Sequence, residues 1–340
     1  MERRSSLRLW IIVVLPLLVS CATPTPAATT GRIDSGAVAS QALAHNLLGD
    51  PATRTYSVYL PPSYATSRES YPVVYLLHGY TQTYGSYLAP VSAAQDSLIA
   101  KGEAREMIVV FVDAYNRLGG SWYLSSPTIG DYETYIVEEL VAEVDSKYRT
   151  LPSRTSRGIT GCSMGGYGAA HLALKYPEVF SVAAAMSGSY DWEHPGWEGD
   201  ADSFSLEPNS WADWVGLNFV VQADIAAAAA AAPNPVKPPF YLDMPFRLVD
   251  GKGQIVPEVY QKINALDVVH DLGRYLNQPE RLKGLMIYHG GSDYPEDARA
   301  FDKMLSELGV EHAFVEVEGG GHCTLDWAPI LKFMSDELAF

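Results

Sequence analysis

Residues 161–165 read Gly-Cys-Ser-Met-Gly, which fits the pattern G-x-S-x-G. A serine hydroxyl is a weak nucleophile. It works only beside a base that takes its proton and a carboxylate that orients the base. The glycines flanking Ser163 permit a turn too tight for a Cβ. Residues 157–162 read as a short strand and residues 168–175 as a helix stopped by Pro177. A serine between two such elements sits at a helix N-terminus, where free N–H groups and the helix dipole favour an oxyanion. The chemistry implied is acyl transfer through a covalent serine ester.

The base and the acid must come from elsewhere. Of the eight histidines, His45 and His78 precede Ser163. His171, His194, His270, His289 and His312 fall in expected helices, strands or an irregular central region. His322 ends the run Glu318-Gly319-Gly320-Gly321-His322, directly after the strand-like residues 313–317. Asp293 lies on a loop after the strand-like residues 285–289, with Asp297 as its rival. The order Ser163, Asp293, His322 is the order of partners in enzymes whose nucleophile sits on a strand-to-helix elbow. In that arrangement the loop after an earlier buried strand supplies one oxyanion donor. Here it is His78-Gly79-Tyr80, so the expected donors are the Tyr80 and Met164 backbone N–H groups. His78, Gly79, Trp122 and Tyr123 are expected on the substrate side.

The elements that position these residues alternate between strand and helix. Residues 55–60 alternate as a strand, and 72–78 and 107–114 are continuous apolar runs, as in strands buried on both faces. Residues 131–148 carry apolar side chains at helical spacing. Residues 182–186 are strand-like. After an irregular stretch the alternation returns, with helices expected at 298–308 and 330–338. This pattern predicts an α/β fold with a mostly parallel central sheet and helices on both faces, and the serine elbow makes it the α/β-hydrolase type. Residues 190–280 break the rhythm, with four of the seven tryptophans and seven consecutive alanines ending at Ala232. They read as an insertion of helices and loops near the active site.

Bulk properties narrow the class. With 47% hydrophobic and 19% charged residues, the chain has the composition of a folded globular protein. Its net charge of −16 repels phosphate backbones and argues against a nucleic-acid partner. No cofactor is called for, and no cluster at metal-ligand spacing stands out. Residues 1–20 have a basic start and an apolar run at 9–19, too short to span a bilayer and typical of an export signal. The run closes on Leu18-Val19-Ser20-Cys21, which resembles a bacterial lipobox. That reading makes Cys21 a lipidated N-terminus and the only membrane contact. Residues 21–50 become a flexible tether and 51–340 the catalytic domain, outside the cytoplasm at the cell surface or in the periplasm.

The chain resembles the esterase D, feruloyl esterase and antigen 85 group of α/β-hydrolases. The resemblance rests on Leu76-Leu77-His78-Gly79, Gly120-Ser121-Trp122-Tyr123, the extended Gly161-Cys-Ser-Met-Gly-Gly-Tyr-Gly-Ala-Ala170, Lys175-Tyr176-Pro177, Ser187-Gly188 and Gly319-Gly-Gly-His322. It implies hydrolysis of carboxylic esters, such as feruloyl, acetyl or other short-chain acyl groups on small molecules or polysaccharides. The antigen 85 branch implies acyl transfer instead. A non-catalytic binding protein on the same scaffold would predict a broken triad. Cys162 and Cys323, which directly follow the pattern of tannases and fungal feruloyl esterases in flanking Ser163 and His322, imply a disulfide. Export allows that bond to form, and the alternative is two buried thiols.

Overall fold

The computed structural model describes residues 29–192, 196–324 and 326–340. The leader, Cys21 and the first part of the expected tether lie outside the described residues, as do His194 and the side chain of Trp197. Eight strands form one sheet: β1 (Arg32–Ala39), β2 (Thr53–Leu60), β3 (Val73–Leu77), β4 (Ile108–Val112), β5 (Arg157–Cys162), β6 (Val182–Met186), β7 (Gly284–Gly290) and β8 (Ala313–Val317). Their order across the sheet is β1-β2-β4-β3-β5-β6-β7-β8. β2 runs antiparallel to both β1 and β4, and every other pairing is parallel. This is the α/β-hydrolase architecture expected from the alternation.

The helices are α1 (Leu88–Lys101), α2 (Tyr132–Thr134, continued by a π turn Tyr135–Leu140 and by Val141–Lys147) and α3 (Met164–Lys175). The insertion adds α4 (Gly196–Asp202), α5 (Trp211–Val215), α6 (Phe219–Ala231), α7 (Pro257–Asn264) and α8 (Val268–Tyr275). α9 (Pro295–Glu307) and α10 (Ala328–Glu337) complete the chain. All five residues of β3 and of β4 are buried, because both faces of the sheet are covered. Val73, Tyr75 and Leu77 pack with α2, α3, α9 and the insertion on one face. Val74 and Leu76 pack with α1 and α10 on the other. The period of two in each strand thus sorts side chains between two cores.

The folded domain begins earlier than expected. Residues 32–39 are not tether but an edge strand, in register with β2 from Arg32 opposite Leu60 to Ala39 opposite Thr53. Leu43 and Leu48 are buried just beyond it. Burial of these two leucines and a ladder of main-chain hydrogen bonds hold the segment to the sheet. The insertion holds the expected helices, and also a hairpin, Phe246–Val249 with Lys252–Ile255. Its tryptophans are largely its own core: Trp211 and Trp214 pack around Phe240, and Trp192 stacks on Tyr167 of α3.

A buried charge cluster ties the insertion to α3. His171 Nδ1 lies 2.5 Å from Asp271 Oδ2 of α8, and its Nε2 lies 3.4 Å from Glu133 Oε1 of α2. Burial alone would lower the His171 pKa, but the two carboxylates outweigh it and raise it to about 9. Burial likewise works against the Glu133 charge, and bonds from His171, Lys175 and Tyr176 outweigh it to give about 2.

Candidate active site

Ser163 stands between β5 and α3 with φ 60° and ψ −123°, a left-handed backbone that a non-glycine residue adopts only where its surroundings enforce it. The enforcement is visible. The Ser163 N–H donates to the Met186 carbonyl at 3.0 Å, and the Ser163 carbonyl accepts the Tyr167 N–H at 2.9 Å. A Cβ at Gly161 would lie 2.4 Å from the Gly165 carbonyl oxygen, and one at Gly165 would lie 2.2 Å from that of Leu77. Both glycines of the motif are there because backbone passes where a side chain would stand. The half-buried Ser163 hydroxyl is thereby held clear of the strand at the start of α3.

The acid and base come from the ends of β7 and β8. His322 Nδ1 is 2.9 and 3.0 Å from the two oxygens of Asp293. Nδ1–H donates to the carboxylate, which leaves Nε2 as the nitrogen available to a serine hydroxyl. The two loops lean on each other: the Ser292 N–H donates to the Gly320 carbonyl at 2.9 Å and the Gly291 N–H to the Val317 carbonyl at 2.8 Å. Cys162 and Cys323 are joined by a disulfide with a Cα–Cα separation of 5.9 Å. The residue before Ser163 is therefore covalently bound to the residue after His322. Among the described residues no hydrogen bond joins Ser163 to His322, and such contacts often tighten only around substrate. Asp297, the rival acid, is engaged elsewhere: its oxygens accept the Tyr190 and Asp191 N–H groups at 2.8 and 3.1 Å.

Among the described residues, nothing accepts the Tyr80 and Met164 N–H groups. The loop that carries Tyr80 is closed on itself, with the Gly79 N–H on Gln82 Oε1 at 2.9 Å and the Gln82 N–H on the Gly79 carbonyl at 3.1 Å. The Tyr80 hydroxyl donates to the Leu118 carbonyl at 2.6 Å.

Three of the four residues expected to line the substrate side do other work. His78 is 1% exposed. Its Nδ1–H donates to the Gly79 carbonyl at 2.8 Å, and its Nε2 accepts the Ala114 N–H at 3.0 Å. Burial lowers its pKa to about 4, so it is a neutral brace between the ends of β3 and β4. Gly79 spends its N–H and carbonyl within the same loop. Tyr123 is fully buried and donates its hydroxyl to the His78 carbonyl at 2.7 Å. Aromatic and histidine side chains next to a catalytic motif do not reveal from sequence whether they face in or out. Trp122 alone keeps partial exposure; its indole N–H donates to the Ala223 carbonyl at 3.0 Å and its ring meets Tyr167 and Trp192 edge-on.

One supporting residue escaped the sequence reading. His289 on β7 is buried beneath the acid, with Nε2 2.6 Å from the Asp293 carbonyl and 3.6 Å from its Oδ2. Its spacing of four before Asp293 was the available signal. Cavities of about 370 and 690 Å³ lie at residues 42–46 with 125–131 and within the insertion, and none of Ser163, Asp293 and His322 lines either. Among the described residues no three His, Cys, Asp or Glu side chains are placed to hold a metal ion, and no helix is long and apolar enough to cross a membrane.

The family described as "Putative esterase" matches residues 51–224, about half of the chain. The chain belongs to this esterase family. The esterase match covers β2 to β6, with Ser163 and the Tyr80 loop, and stops before Asp293 and His322. Over 141 residues the chain is 30% identical to an endo-1,4-beta-xylanase/feruloyl esterase of Xylanibacter ruminicola, covering 40% of this chain and 19% of that protein. It is 31% identical over 136 residues to an esterase of Mycobacterium tuberculosis, covering 39% and 28%. The matched stretch is thus less than a third of either relative. Among solved structures, a ferulic acid esterase superposes with a TM-score of 0.60 at 20% identity, covering 91% of this chain and 99% of that one. An S-formylglutathione hydrolase of Agrobacterium tumefaciens gives 0.58 at 17%, covering 92% and 97%. These likenesses extend the fold assignment across the regions that the esterase match leaves out.

Proposed function

We propose that this esterase-family chain hydrolyses carboxylic esters through an acyl-enzyme on Ser163. His322 takes the serine proton as the hydroxyl attacks the carbonyl, then returns it to the leaving alcohol. Asp293 holds the imidazole in the required tautomer and stabilises its charge. The Tyr80 and Met164 N–H groups receive the oxyanion, each contributing about 3 kcal/mol to the transition state. Water then attacks the acyl-enzyme with His322 as base. The observation that carries this reading is the His322–Asp293 pair, tied by a disulfide to the turn that strains Ser163.

Substrates are esters of short or aromatic acids, free or on a polysaccharide, and hydroxycinnamoyl esters come first among them. Two relatives named as feruloyl or ferulic acid esterases support that choice. The domain works outside the cytoplasm, tethered by lipid on Cys21, and the disulfide fits an oxidising compartment. The test follows hydrolysis of p-nitrophenyl acetate, butyrate and octanoate beside methyl ferulate, with Ser163→Ala as control. Hydrolysis that vanishes in Ser163→Ala supports the reading, and a folded wild type inert toward all four contradicts it. Cys21→Ser should release the protein from membranes; continued membrane attachment would refute the tether.

A further inference from the structure

The α6 helix of the insertion lies against the oxyanion loop. Phe219, in its first turn, meets the Tyr80 ring edge-on with centroids 5.4 Å apart. One turn on, the Ala223 carbonyl accepts the Trp122 indole N–H. Asp224, the next residue, has a carboxyl with no hydrogen-bond partner among the described residues, and its Oδ2 is sealed from solvent. Among the described residues, the charged side chain that acts on it is another acid, Asp200 of α4. Asp224 thus lies on the stretch of α6 whose flanking residues meet Tyr80 and Trp122.

A buried polar atom without a partner destabilises the fold until something bonds it. Burial, aided by Asp200, pushes Asp224 well above the usual carboxylate range. A protonated carboxyl both donates and accepts hydrogen bonds. A hydroxyl group has the same two capacities, and a bare hydrocarbon has neither. Phe219, 56% exposed, and Val220, 37% exposed, supply an apolar rim for the carbon skeleton next to it.

We propose that Asp224 is a substrate-binding residue, in a subsite beside the oxyanion hole, whose carboxyl hydrogen-bonds a hydroxyl group carried by the ester. The proposal rests on the esterase reading. The hydroxyl belongs either to the acyl group or to the alcohol, and two matched pairs separate these sources. Methyl 4-hydroxycinnamate against methyl cinnamate probes the acyl side. Glyceryl monoacetate against propyl acetate probes the alcohol side. Asp224→Leu should cut the ratio of kcat/KM, hydroxylated over plain, by about tenfold or more in one pair, and Asp224→Asn should retain part of it. Asp224→Leu should also raise the thermal midpoint, because it removes an uncompensated carboxyl. Unchanged ratios in both pairs would overturn the subsite. A lowered thermal midpoint with unchanged ratios would make Asp224 a structural residue. A wild type that cleaves none of the four esters, no better than Ser163→Ala, would instead overturn the esterase reading and the subsite with it.

Discussion

The nucleophile turn and the histidine loop hold two halves of one site by different means. Around Ser163, Gly161 to Ala170 are buried except for the serine itself, and backbone crowding at Gly161 and Gly165 leaves the turn one shape. The His322 side chain is 54% exposed, on a loop with three glycines before it. What holds it is the Asp293 carboxylate, contact with the β7 loop, and one covalent link through Cys323. Packing fixes Ser163, the proposed nucleophile, and a crosslink plus one charge-assisted bond fix His322, the proposed base. Redox conditions and loop mutations should therefore act on the base and leave the nucleophile in place.

The largest expected effect tests the two halves together. Ser163→Ala and His322→Ala should each lower kcat by about 10⁴-fold or more, and the double variant should lose little further, since the pair acts as a unit. Additive losses would break the pairing. Replacing Cys162 and Cys323 by serine should come next. It opens a closure over 161 residues, costing about 2–4 kcal/mol in chemical denaturation, and it should lower kcat while leaving the fold of the Ser163 turn unchanged. Gly165→Ala should cost about 1–3 kcal/mol and abolish activity in proportion to the shift of the turn, because its Cβ meets the Leu77 carbonyl. A fully active Gly165→Ala would show that the turn is not held by crowding.

The charge cluster behind α3 predicts a pH profile. His171 moves from 6.5 unfolded to about 9 folded, so its contribution is complete below about pH 6.5 and fades as pH rises through 9. Glu133 moves from 4.5 to about 2, so its contribution is complete above about 4.5 and fades as pH falls toward 2. Thermal midpoints should form a plateau between about pH 4.5 and 6.5, and His171→Phe should flatten the alkaline limb. An alkaline limb unchanged in His171→Phe would assign it to other groups. The smallest effect is Trp122→Phe, which removes the bond to the Ala223 carbonyl and should cost about 1 kcal/mol.

Much of this was legible in the sequence, for identifiable reasons. Buried parallel strands such as Val73–Leu77 and Ile108–Val112 are unbroken apolar runs, and those read clearly. Ser163 read clearly because its motif is bounded by a strand and a helix. Asp293 read as the acid ahead of Asp297 although both follow β7; in the structure His322 bonds Asp293, while Asp297 takes the Tyr190 and Asp191 N–H groups. Arg32–Ala39 was missed because an edge strand buries little: Val38 is its one buried residue, so no apolar pattern marks it. His78 and Tyr123 were misplaced because polar and aromatic side chains beside a motif can brace the loop as readily as meet a substrate. Asp224 was silent in sequence, since its isolation depends on the fold of α4 and α6.

The central claim is that Ser163 is an activated nucleophile paired with His322. The direct measurement is labelling with a fluorophosphonate, followed by mass spectrometry of the digested protein. A single adduct on the peptide containing Ser163, absent in Ser163→Ala and strongly slowed in His322→Ala, is the predicted result. No adduct on folded wild type, or labelling at Ser163 that is as fast in His322→Ala, would contradict the account.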